Sequence, residues 1–106
     1  MTWAYDFECD LPIRDILVAL NRAGPWHWIE RDKDAFGTYL SAAPRDGLRV
    51  RLYSDPGAAG ENGPRYTADF RLDSADAAAR DAINATFSAL LMTLSPRAVT
   101  PGEYWD

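Results

Sequence analysis

The sequence predicts an α+β fold, and three observations carry that expectation. Several short stretches alternate apolar and polar residues, the period of a strand with one buried face. Two longer stretches space their apolar residues by three and four, the period of a helix with one buried stripe. Clusters of Gly, Pro and Asp fall between them, where the chain has to turn. With 106 residues, 47% hydrophobic and 25% charged, the chain has the size and balance of one domain spanning residues 1–106.

The elements follow in order. Trp3, Tyr5, Phe7 and Cys9 alternate with Ala4, Asp6, Glu8 and Asp10, which predicts a first strand over 2–9. Asp10 and Pro12 then start a helix whose Ile13, Ile16, Leu17 and Leu20 share one face, running to about Ala23, where Gly24 and Pro25 end it. A meander of four strands is expected next: 26–31, 38–43, 48–53 and 66–72. Pro44-Arg45-Asp46-Gly47 supplies a tight turn, and the loop from Ser54 to Pro64 is rich in Gly and Pro. Asp73 or Ser74 is placed to cap a final helix of about twenty residues, aided by Asp76, with Ala79, Ile83, Phe87, Leu90, Leu91 and Leu94 on its buried stripe. After Ser95-Pro96 the reading is an irregular tail over 95–106.

This β-α-β-β-β-β-α order implies a two-layer sandwich. Hairpin connections make the four later strands antiparallel neighbours, and the helical crossover lets the first strand pair beside the fifth. The expectation is a five-stranded, mainly antiparallel sheet in the order 1-5-4-3-2, with both helices on one face and the other face open. The element order resembles that of the TATA-binding-protein-like fold. The likeness covers topology alone, so no residue or activity is carried across from it.

Composition narrows the functional classes. Eleven basic against sixteen acidic residues give a net charge of −5, which repels a phosphate backbone and makes nucleic acid an unlikely partner. A third reading, single-stranded nucleic acid stacked on Tyr39, Tyr53 and Tyr66, suffers from the same charge and from Tyr66 falling on the buried side. One Cys and one His leave no disulfide framework, and no metal site or cofactor is expected. Asp6, Glu8 and Asp10 interrupt the N-terminus, so no signal peptide or membrane span is read there, and a cytoplasmic protein is expected. Ten of the eleven basic residues are Arg and seventeen residues are Ala, a bias that fits a GC-rich bacterial genome and discounts any cluster of arginines.

No catalytic residue emerges. His27, between Trp26 and Trp28, is three residues from Glu30, and along a strand that spacing puts the two side chains on opposite faces. Cys9 falls in register with the buried Trp3 and Phe7, where a thiol is a small hydrophobe and a poor nucleophile. The glycine-rich loop lacks the Gly-Lys-Ser/Thr ending of a phosphate-binding loop and precedes a strand rather than a helix. Asp6, Glu8 and Asp10 sit at strand spacing without further converging oxygen ligands.

The open sheet face is the candidate surface. If Trp26, Trp28, Leu40, Val50, Leu52, Phe70 and Leu72 point toward the helices, alternation sends His27, Tyr39, Ser41, Arg49, Arg51, Tyr53 and Arg71 outward. Arg and Tyr are enriched at interface hot spots, so His27, Tyr39, Arg49, Arg51, Tyr53 and Arg71 are the candidate binding residues. The competing reading makes alternating Arg and Asp into cross-strand pairs on a solvated face. The expected function is a non-enzymatic module that binds a protein partner, or a second copy of itself, through this face or an edge strand. The alternative is a small-ligand binder or enzyme with a pocket between sheet and long helix, lined by Trp26, Trp28 and Phe87. Trp105, in the tail, either docks on the sheet or is held for a partner.

Overall fold

The computed structural model describes residues 1–33, 37–54 and 65–102. In chain order the elements are β1 (Thr2–Glu8), α1 (Ile13–Ala23), β2 (Trp28–Lys33), β3 (Gly37–Arg45), β4 (Leu48–Ser54), β5 (Arg65–Leu72), α2 (Ala77–Met92) and β6 (Arg97–Gly102). The fold is α+β. The strands form one antiparallel sheet in the order β2-β3-β4-β5-β1-β6. The glycine-loop and Trp105 expectations fall at 55–64 and 103–106, outside the described residues, as does part of the turn between β2 and β3.

Two expectations are corrected. The sheet has six strands, not five, because Arg97–Gly102 of the supposedly irregular tail pairs with β1. Its sequence hides this: Ala98, Val99, Thr100 and Pro101 are all exposed, so no side chain is sorted inward and no period of two is written. Backbone pairing holds it, together with Arg97, which grips Asp10 through both Nη atoms at 2.9 Å. That guanidinium holds the Asp10 carboxyl below its ordinary range. The second correction concerns α2, whose cap is Asp76 rather than Asp73 or Ser74. The Asp76 carboxylate accepts from the Ala79 N–H at 3.1 Å, and the helix is 16 residues long. Asp73 is engaged otherwise, its N–H donating to the Gly47 carbonyl at 2.8 Å. Gly47 takes the left-handed conformation, φ 78°, which lets the β3–β4 turn close.

One core joins both helices to one face of the sheet. Trp3, Phe7, Trp28, Leu40, Val50, Leu52, Tyr66, Ala68, Phe70 and Leu72 supply the strand side; Ile16 and Leu20 of α1 and Ile83, Phe87, Leu90 and Leu91 of α2 supply the rest. Phe87 meets Phe70 edge-on at 5.0 Å, and Trp3 stacks on Phe70 at 5.1 Å. Polar tips orient these rings. The Trp3 indole N–H donates to the Asn84 side-chain oxygen at 2.8 Å, and Arg80 lies over the Trp3 ring at 5.3 Å, both from α2. Tyr66 donates to the Leu11 carbonyl at 2.6 Å, tying β5 to the segment before α1.

Asn21, on α1, performs the same service for the start of β2. Its side-chain oxygen accepts from the Trp28 N–H at 2.7 Å and its amide donates to the Trp28 carbonyl at 3.0 Å. Trp28 heads an edge strand yet is almost wholly buried, so its backbone depends on this amide. Replacing Asn21 by Ala is expected to cost about 1–3 kcal/mol in urea unfolding, with faster amide exchange at Trp28. An unchanged midpoint and unchanged exchange would show that the clamp contributes nothing.

Candidate functional site

The face of the sheet turned away from this core is built from three cross-strand rows. The first sets Ser41, Arg51, Asp69, Ala4 and Gly102 side by side across β3, β4, β5, β1 and β6. The second sets Tyr39, Tyr53, Thr67, Asp6 and Thr100. The third places Arg49 opposite Arg71, with Thr2 beyond. Alternation within each strand puts the three rows on the same side, as the sequence implied.

The middle of this face is not open to solvent. Arg51 donates from Nε to Asp69 Oδ1 at 2.9 Å and from Nη2 to Oδ2 at 2.8 Å, a two-bond fork. Arg51 and Asp69 are 6% and 1% exposed, and Tyr53, Thr67 and Ala4 are buried beside them. The expectation of an outward, solvated Arg51 is therefore corrected. It is one half of a cross-strand ion pair, and that pair is buried rather than solvated. Thr67 continues the network, donating to Asp6 Oδ1 at 2.7 Å. Gly102 permits this approach, since a Cβ there would stand 2.7 Å from the same oxygen. Burial, with the Asp69 carboxylate next in weight, pushes the Tyr53 phenol up to about 12.

The six candidate residues thus divide. Arg51 and Tyr53 belong to the buried centre. Arg49 and Arg71 are exposed and directly opposed at one end of the face. There a cleft of about 270 Å³ is lined by Gly47, Leu48, Arg49, Arg71 and Asp73. Tyr39 is half-buried on β3, opposite Tyr53 and, on its other side, Arg31. His27 is exposed just before β2 and stands apart from the arginines, while Glu30 is engaged by Arg14 Nε at 3.3 Å. The Asp69, Thr67 and Asp6 partners were missed by reading strands one at a time. Their signal was equal parity with Arg51 and Tyr53, which is legible only once the register is known.

Other candidates resolve in the same way. Asp6 is hydrogen-bonded to Thr67, and Glu8 and Asp10 both face Arg97. Among the described residues no group of three His, Cys, Asp or Glu side chains is placed to hold a metal ion, and no helix is long and apolar enough to cross a membrane. Trp26, Trp28 and Phe87 pack on one another in the core, Trp26 lying 6.1 Å from Trp28 and 6.4 Å from Phe87. The cleft beside them, about 210 Å³, is lined by Trp26, Pro44, Arg45 and α2 residues, without Trp28 or Phe87. No protein-family model matches the chain, and no curated protein matches it.

Two measurements check the electrostatics of the buried centre. Asp69→Asn leaves the Arg51 guanidinium buried without its counter-charge and is expected to cost about 3–5 kcal/mol in urea unfolding, whereas replacing both partners, Arg51→Met with Asp69→Leu, recovers most of that loss. Equal losses in the two variants would show that the pair itself, rather than the orphaned charge, carries the energy. In an alkaline titration followed at 295 nm, the Tyr53 component is expected near pH 12, above the ordinary tyrosine value, and absent in Tyr53→Phe. The folded state holds this proton more tightly than the unfolded chain does. The associated stability is therefore complete below the ordinary tyrosine value near 10 and is lost as pH rises from there through about 12.

Proposed function

We propose that this chain is a non-enzymatic protein-binding module of the cytoplasm. In this reading it is a two-layer sandwich whose helices occupy one face, and it engages a partner with the margin of the other. The observation that carries the reading is the Arg49–Arg71 opposition. Both side chains are exposed beside the cleft of about 270 Å³ that Asp73 also lines. Arg offers a planar fork of donors and is enriched at interface hot spots, so this end of the face suits a partner that accepts hydrogen bonds.

The edges support this face over strand addition. On β2 a two-fold antiparallel pairing of two copies about the middle of the strand opposes Glu30 to Glu30 or Arg31 to Arg31. On β6 Pro101 has no N–H to give, and Ala98 takes φ 52°, which breaks an extended run. Charged and irregular edges of this kind resist pairing.

The test is crosslinking in native extract with a face variant, Arg49→Glu with Arg71→Glu, and a control on the exposed side of α1, Arg14→Glu with Arg22→Glu. Light scattering is expected to give a monomer for the isolated protein. The wild type and the control are expected to yield the same crosslinked heteromer and the face variant to lose it, with its melting temperature within a few degrees of wild type. Retention of the heteromer by the face variant, or its loss in the control as well, overturns the reading.

A further inference from the structure

The end of β3 turns a charged side chain toward the face of the sheet that bears the helices. Leu40 and Ala42 point into the core, and strict alternation would send Arg45, three residues past Ala42, to the other face with Tyr39 and Ser41. Instead the register shifts between Ala42 and Arg45, and Arg45 stands opposite Leu48, a core residue. Directly opposed residues share a face, so the irregularity carries the guanidinium across. Pro44, which has no N–H to give to a ladder, falls inside it. Bulges re-aim side chains in this way, and they recur beside binding sites.

Arg45 arrives at the cleft of about 210 Å³ between this hairpin and α2. Trp26, Leu48 and Ile83 give that cleft an apolar, buried floor, and Ala79 and Ala82 keep its α2 wall low. Thr86 spends its hydroxyl proton on the Ala82 carbonyl at 3.2 Å. Arg45 is the charged side chain of the described lining; it is exposed and, among the described residues, makes no ion pair. A cation is thus held at the rim of an apolar hollow.

We propose that this cleft binds a small monocarboxylic acid carrying one ring on a short arm, the ring against Trp26, Leu48 and Ile83 and the carboxylate on Arg45. The volume falls below the roughly 300–1,000 Å³ of drug-sized pockets, which limits the apolar body to a single ring. Removing that ring from water supplies the attraction. The planar guanidinium matches a carboxylate with two parallel hydrogen bonds and fixes the ligand's direction. This site lies on the helix-bearing side of the sheet, and its fate is independent of the Arg49–Arg71 face.

The probe is hydrocinnamate, with its primary amide and acetate as controls, titrated into isotope-labelled protein and followed by NMR. The Trp26 indole N–H peak is identified by its loss in Trp26→Phe. Saturable shifts are expected at that peak and at the Arg45 and Leu48 amides, and the amide and acetate are each expected to bind at least tenfold more weakly. Arg45→Gln is expected to lose at least tenfold for the acid and to leave the affinity of the amide unchanged, a split that a merely structural role would not produce. Ala82→Leu fills the cleft from an exposed position with a good helix former, and is expected to abolish binding of both while keeping the wild-type circular dichroism spectrum. Equal binding of acid and amide, unchanged acid binding in Arg45→Gln, or no saturable shift at Trp26 overturns the proposal. Tighter binding of the same ring at the free C-terminus of a peptide overturns it in favour of a protein terminus.

Discussion

The register of β4 against β5 is the constraint on which the rest of the structure depends. Val50 opposite Phe70 and Leu52 opposite Ala68 send one set of side chains into the core. The same alignment necessarily sets Arg51 opposite Asp69 and Arg49 opposite Arg71 on the other side. A slip of one residue would carry Phe70 and Val50 into water and bury arginines under the helices, so the aliphatic burial enforces the charge arrangement. The ion pair and the arginine cleft are both consequences of how the apolar residues pack.

Within that frame the two faces use different physics. The helix-bearing face is a stack of rings, with Phe87 of α2 reaching Phe70, Tyr5 and Trp26. In the same core the Trp3 indole N–H is tied to Asn84 and the Tyr66 hydroxyl to the Leu11 carbonyl. The opposite face is held by charge-assisted hydrogen bonds, Arg51 to Asp69 and Thr67 to Asp6, in a buried setting where a missing partner is costly. Arginine is placed unevenly across it: Arg51 is buried at the centre against Asp69, while Arg49 and Arg71 are exposed at one end. Residues of identical type on one surface therefore sit in different surroundings.

The sheet edges complete the picture. β2 carries Glu30, Arg31 and Asp32 along its length, and its first residue, Trp28, is turned into the core and clamped by Asn21. β6 covers the outer side of β1 with a strand containing proline and a left-handed alanine. Neither edge offers a long, regular, uncharged ladder, which directs attention to the face.

The sequence alone determined the α+β class, the places of the two helices and strands one to five, and the side of each strand that is buried. These follow from local periodicity, and burying apolar side chains in water is a force that each short segment expresses for itself. It also selected Arg49, Arg51, Tyr53, Arg71, Tyr39 and His27 as one outward set. Tertiary structure decided what those residues do. Whether an arginine faces Asp69 or Arg71 depends on a partner twenty or so residues away, and strand β6 exists through pairing with a segment at the other end of the chain. Neither leaves a local periodic mark, because a cross-strand hydrogen bond or ion pair is set by alignment between segments, and alignment is a property of the assembled sheet.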